Sequence, residues 1–98
     1  MVDVLIAPVA RADLEAIDDY GTAMFGIEAA ETMSAGFWQA FEQLGQYPQS
    51  APLRTDYGDG IRCKMHRGYR VLYRFDEVAV LIVRVLHHSR DIPAEPAP

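Results

Sequence analysis

Between Gly60 and Asp91 the chain gathers the side chains best able to hold anions or move protons: Arg62, Lys64, His66, Arg67, Arg70, Arg74, Arg84, His87, His88 and Arg90. Cleaving a ribose phosphodiester needs cations that steady the developing phosphorane charge and groups that move protons at the 2′-oxygen and the leaving oxygen. Arg62, Lys64 and Arg70 are candidates for the first task, and His66, His87 or His88 for the second. Cations interleaved with aliphatic residues have another use, the recognition of a protein segment that carries an apolar face with acidic flanks. Neither His66 nor His88 has a carboxylate at a spacing that would orient it. Three histidines in a strand-rich stretch do not make a metal-ligand motif, so no metal and no cofactor are expected. Cys63, the single cysteine, reads as a small buried hydrophobe without chemistry.

Strands must position these groups. Ile61 to His66 alternates apolar and cationic residues, the period of a strand with one buried face, so that Ile61, Cys63 and Met65 are expected inward and Arg62, Lys64 and His66 outward. Tyr69 to Phe75 alternates too, with Tyr69, Val71, Tyr73 and Phe75 on one side and Arg70, Leu72 and Arg74 on the other. Ala79 to His87 is almost wholly aliphatic apart from Arg84 and suits an inner strand covered on both faces. His87 falls in its inward register, as a histidine at the core margin.

Register decides whether the cations share a surface, because a one-residue slip moves every side chain to the opposite face. A two-residue turn at Arg67-Gly68 would put Arg62 and Lys64 on the face where Tyr69, Val71, Tyr73 and Phe75 must be buried. The pattern therefore favours a three-residue bulged loop, Arg67-Gly68-Tyr69, and likewise a turn over Asp76, Glu77 and Val78. Arg62, Lys64, His66, Arg70, Arg74 and Arg84 then occupy one face with Leu72, Val80, Ile82 and Leu86. The expected partner-binding set is Arg62, Lys64, Arg70, Leu72, Arg74, Ile82, Arg84, Leu86 and Arg90.

The rest of the chain is scaffold. Val2 to Ile6 suits a first strand, closed by Ala7-Pro8. From Ala10 the spacing of Leu14, Ile17, Tyr20 or Gly21, and Met24 predicts a helix that Gly26 stops. A second helix is expected from Glu28 to Gln46, with Ala30, Met33, Phe37, Ala40 or Phe41, and Leu44 as its apolar stripe. Gly36 in that stripe would allow the first helix to come close. Residues 47–60 read as a loop bringing Arg54 toward the sheet, and residues 92–98, with three prolines, as a flexible tail after a single domain of residues 1–91. The order β, α, α, β, β, β predicts an α+β fold with a helical hairpin on one face of a small, mainly antiparallel sheet.

Bulk properties narrow the classes. A chain of 98 residues, half of them apolar, makes one small globular domain. No apolar run is long enough to span a bilayer and the first residues do not form a signal peptide, which leaves a cytoplasmic location as the expectation. The net charge of −5 hides an asymmetry. Residues 1–47 carry Asp3, Asp13, Glu15, Asp18, Asp19, Glu28, Glu31 and Glu42 against Arg11 alone, whereas residues 48–98 hold more bases than acids. Acidic helices beside a basic sheet can draw an acidic partner locally, yet the field is weaker than nucleic-acid binders carry.

Four stretches together resemble the ParE branch of the RelE/ParE toxin superfamily: Pro8-Val9-Ala10-Arg11-Ala12-Asp13-Leu14, Tyr47-Pro48 leading to Arg54, the pair Tyr73-Arg74, and Arg84-Val85-Leu86-His87-His88-Ser89-Arg90-Asp91. The resemblance covers nearly the whole chain. It implies the toxin of a type II toxin-antitoxin pair, neutralised by a ParD-like antitoxin, and an attack on DNA gyrase that stalls the enzyme on cleaved DNA, with no sequence-specific nucleic-acid binding by the toxin alone. The RelE branch cuts messenger RNA on the ribosome instead. Under that alternative Arg62, Lys64 and Arg70 resemble its basic residues and His88 joins them, although Ile92 to Pro98 lacks the catalytic or binding residues which those nucleases carry at the chain end. A degenerate member retained as an interaction module is the third reading.

Overall fold

A computed structural model describes residues 2–88, and within it the chain runs β1 (Asp3–Ile6), α1 (Pro8–Phe25), α2 (Ile27–Gln46), β2 (Arg62–His66), β3 (Tyr69–Phe75) and β4 (Ala79–His87). Pro8 opens α1 at a position where a missing N–H costs nothing. Gly26 alone links the two helices, at φ 94°, and donates its N–H to Thr22 O at 3.0 Å. That left-handed conformation is one a glycine adopts without strain. The strands form one sheet in the order β1-β4-β3-β2, with β1 parallel to β4 and the other pairs antiparallel. The α+β order expected from the sequence is the order observed.

The helical hairpin covers one face. Phe37, Phe41 and Leu44 of α2 and Ala10 of α1 pack on Val71 and Tyr73 of β3 and on Val80, Ile82 and Val85 of β4, with Val4 and Ile6 of β1 partly buried against them. The phenol of Tyr73 is fully enclosed and donates to Pro48 O at 2.8 Å, and burial pushes its pKa up. The close helix approach lies at Gly21, where a Cβ would meet Ala30 Cβ at 3.7 Å. Gly36, expected to provide it, instead makes room for the ring of His66 on β2.

Both hairpin registers differ from those the binary pattern favours. His66 pairs with Tyr69 across a two-residue turn, in which Arg67 (φ 49°) and Gly68 (φ 83°) both adopt left-handed backbone. Arg62, Lys64 and His66 therefore lie on the helix-covered side, opposite Tyr73, Val71 and Tyr69. The pattern misleads because β2 is an edge strand that the helices only partly cover, so long cationic side chains reach the rim with their stems packed. Arg62 does so, donating from Nη1 to Ala51 O at 2.7 Å with its guanidinium 5.5 Å from the Phe75 ring centroid.

At the next hairpin Phe75 pairs with Val80, so four residues separate the paired positions where three were expected. Val80 and Ile82 thereby turn under the helices. A bulge at Val83, between the pairs Tyr73–Ile82 and Leu72–Arg84, then shifts the phase so that Val83 and Leu86 face the other way.

That other face is half covered. After Ala51, which stays with the helix-side core, residues 52–60 fold across it, with Arg54 N–H donating to Ile61 O at 2.7 Å, Cys63 N–H donating to Pro52 O at 3.1 Å, and a 3-10 turn at Thr55–Tyr57. Beneath it Tyr57, Ile61, Cys63, Leu72 and Leu86 form a second core. Burial there pushes the Cys63 thiol pKa up, against the pull of Arg54 and Arg70. Ile61 and Cys63 are buried as expected, though on this face, whereas Met65 is 54% exposed. Arg90 and the tail expected at residues 92–98 lie outside the described residues.

Candidate functional site

The outer sheet face, on the side away from the helices, keeps Arg70 and Arg74. Arg70 stands between Met65 and Leu86 in the ladder, and Arg74 beside Leu81, which in turn neighbours Leu5. Neither arginine has an ion-pair partner among the described residues. Leu5 and Met65 are exposed, so an apolar strip with two unpaired guanidinium groups remains open beside the loop.

The remaining members of the expected set are placed differently. Leu72 and Ile82 are both 0% exposed and Leu86 is nearly so, Leu72 and Leu86 beneath the loop and Ile82 beneath the helices. These aliphatics are therefore core, a correction to the mixed exposed surface expected of them. Arg84 is committed to Asp13 of α1, with Nε to Oδ2 at 2.8 Å and Nη2 to Oδ1 at 3.1 Å. The same Asp13 Oδ2 accepts the Val85 N–H at 2.9 Å. β1 ends at Ile6, and Asp13 thus serves the edge of β4 as the next residue of a strand would. The carboxylate raises the Arg84 pKa further.

The candidates for proton transfer are dispersed. His66 packs against Phe37, ring centroids 5.1 Å apart, and its Nε2 is buried with no hydrogen-bond partner. Burial, with Arg67 and Lys64 nearby, lowers its pKa. His88 is tied to the β2–β3 turn, its N–H donating to Gly68 O at 2.7 Å and its Nδ1 lying 2.9 Å from the same oxygen. His87 contacts Tyr69 and His88 edge-on and tilted, at the sheet margin. Arg62 and Lys64 occupy one side of the sheet and Arg70 the other, so the three cations proposed for phosphate chemistry do not share a face. Among the described residues no three His, Cys, Asp or Glu side chains converge as a metal site requires.

The structure also shows a surface that the periodicity concealed. Of the α1 stripe expected at Leu14, Ile17, Tyr20 or Gly21, and Met24, it is Gly21 that turns to α2, while Tyr20 and Met24 are exposed, as are Phe25, Ile27 and Trp38. The readable signal was Met24-Phe25-Gly26-Ile27, large apolar residues around a turn where polar ones are usual.

Residues 4–92 match the family of ParE toxins of the type II toxin-antitoxin system parDE. Among solved structures, the chain is similar to one from the chromosomal ParDE toxin-antitoxin system of P. aeruginosa, with TM-score 0.76 and 22% identity over 89% of this chain and 96% of that one. It is also similar to one from the toxin-antitoxin complex RelBE2 of Mycobacterium tuberculosis, with TM-score 0.63 and 28% identity over 88% of this chain and 96% of that one. No curated protein matches the sequence significantly.

Proposed function

The chain belongs to the ParE family of toxins of type II toxin-antitoxin systems, and we propose that it arrests growth in the cytoplasm by binding DNA gyrase and stalling it on cleaved DNA. The observation that carries this reading against a nuclease is the division of the cations. Arg62 and Lys64 lie on one side of the sheet and Arg70 on the other, and His88 is bound back to its own turn. A phosphorane needs its cations and its proton donor around a single atom. A binding poison needs only complementary surface.

A cognate, ParD-like antitoxin completes the pair, and its contact is the open strip of Leu5, Leu81, Arg74, Arg70 and Met65. An extended or helical segment with apolar residues and acidic flanks fits that strip, the aliphatics supplying affinity and the arginines encounter rate. The test is direct. Purified toxin added to gyrase in a supercoiling assay should inhibit it and leave cleaved DNA, while ribosomes carrying message should show no cleavage. The opposite pair of results replaces this reading with the RelE-type ribonuclease.

A further inference from the structure

The loop beside the open strip carries an ion pair whose two members are unequally fixed. Arg54 donates its backbone N–H to Ile61 O at 2.7 Å, and its guanidinium lies over the Tyr57 ring, 4.6 Å from the centroid, with Nη2 donating to the phenol oxygen at 3.3 Å. Tyr57 is buried in the second core, so the cation rests on a packed support and is already oriented before any partner arrives. Asp56 has no such support. It sits on the 3-10 turn with its side chain 59% exposed and reaches back two residues, accepting Arg54 Nε on Oδ1 at 3.0 Å and Nη2 on Oδ2 at 2.8 Å. The loop is fastened without it, by the bonds from Arg54 N–H to Ile61 O, from Cys63 N–H to Pro52 O and from Tyr57 N–H to Arg54 O.

A second cation acts on the same carboxylate. The Arg54 guanidinium holds the Asp56 carboxyl below the usual carboxylate range, and Arg70 adds to that pull from the strip. Asp56 therefore stands where an anion shared by the loop and the strip would stand. Leu53 and Met65, exposed on the loop and on β2, supply apolar surface to either side. Apolar flanks suit an acidic side chain on a protein segment, whereas a nucleic-acid backbone presents its charge without interruption.

We propose that Arg54 and Arg70 form one carboxylate site for an acidic residue of the partner that docks on the strip, and that Asp56 occupies this site in the free chain as a built-in competitor. The inference rests on the reading of the strip as the antitoxin's contact and adds to it the residue that regulates entry. On binding, the partner's Asp or Glu takes the Nε and Nη2 edge of Arg54, and Asp56 turns to water. Exposed ion pairs are weak, so Asp56 resists this exchange little, while the bidentate bond that replaces it is shielded by the interface.

The probe is the antitoxin encoded beside the toxin gene, immobilised for surface plasmon resonance. Asp56→Asn should tighten binding about two- to fivefold, the range set by the loss of one competing exposed pair, chiefly through faster association. Asp59→Asn makes the same charge change in the same loop and should leave affinity within about twofold. Arg54→Ala should weaken binding and cancel the gain of Asp56→Asn in the double variant. In ¹³C NMR the Asp56 carboxyl should titrate below the usual range in the free chain and return to it in the complex. Arg70→Ala tests the underlying reading: unchanged binding removes the strip as the antitoxin's contact, and this site with it. Where Arg70→Ala does weaken binding, three results overturn the carboxylate exchange alone: no gain from Asp56→Asn, an equal gain from Asp59→Asn, or an Asp56 carboxyl that stays low in the complex. So does displacement of the antitoxin by a short oligonucleotide that Arg54→Ala abolishes, which would assign the two arginines to phosphate.

Discussion

Asp13→Ala tests whether one carboxylate joins the helical layer to the sheet. Its side chain is 12% exposed and that of Arg84 17%, so neither group is well solvated. Removing Asp13 leaves a partly buried guanidinium without its counter-ion, a loss of about 3 to 5 kcal/mol for a fully buried pair and less here because both edges touch water. It also orphans the Val85 N–H on the exposed edge of β4, which costs about 1 kcal/mol or more unless water enters. Together these give about 2 to 4 kcal/mol, against the roughly 5 to 15 kcal/mol that stabilises a domain of this kind. At about 4 to 8 °C per kcal/mol, Tm should fall by about 8 to 32 °C. A double-mutant cycle separates the pair from its surroundings. Arg84→Met removes the cation but keeps the Val85 contact, so with Asp13 already gone it should cost little, giving a coupling of about 1 kcal/mol or more. Additive losses, or an Asp13→Ala variant within about 0.5 kcal/mol of the parent in urea unfolding, would mean that α1 is held by apolar packing alone.

Other perturbations follow from the same geometry. Phe37, 2% exposed and in contact with His66 and Tyr69, should cost about 3 to 5 kcal/mol when replaced by alanine, read from denaturation midpoints. Because the folded state lowers the His66 pKa, its contribution is present above the ordinary histidine value near 6.5 and is lost as pH falls from there through the lowered value of the folded state. His66→Leu should flatten the loss of stability between pH 7.5 and pH 5, and an unchanged slope would exonerate this ring. Leu72→Ser and Ile82→Ser should lower stability by about 3 kcal/mol or more, since both are fully enclosed, and circular dichroism on heating will show it. Arg70→Ala and Arg74→Ala should leave stability alone, slow antitoxin association and weaken its salt dependence in surface plasmon resonance. Wild-type association rates in both would place the antitoxin elsewhere.

The element order was legible because its signals are local. Helical spacing, the glycine at 26 and the turn residues at 67–68 and 76–78 each act over a few neighbours, and β3 and β4 begin and end where their patterns do. Strand phase was not legible, because it rests on two facts the pattern does not contain. One is that β2 is an edge, which lets Arg62 lie on the covered side with its head group on Ala51 O. The other is the bulge at Val83, a single inserted residue that sends Ile82 and Leu86 to opposite faces.

Burial on the outer face depends on contacts still farther apart. Residues 47–60 read as a polar loop, and nothing in their composition says that Tyr57 will close over Leu72 and Leu86. The partner for Arg84 sits 71 residues away at Asp13, in a helix where an acid on the wet side is unremarkable. Charge balance, by contrast, needs no register. The excess of acid in the first half of the chain survives folding as the surface of α1 and α2, while the unpaired arginines of the second half stay on the sheet. That separation holds whichever way each strand faces, because helices and strands lie in different layers.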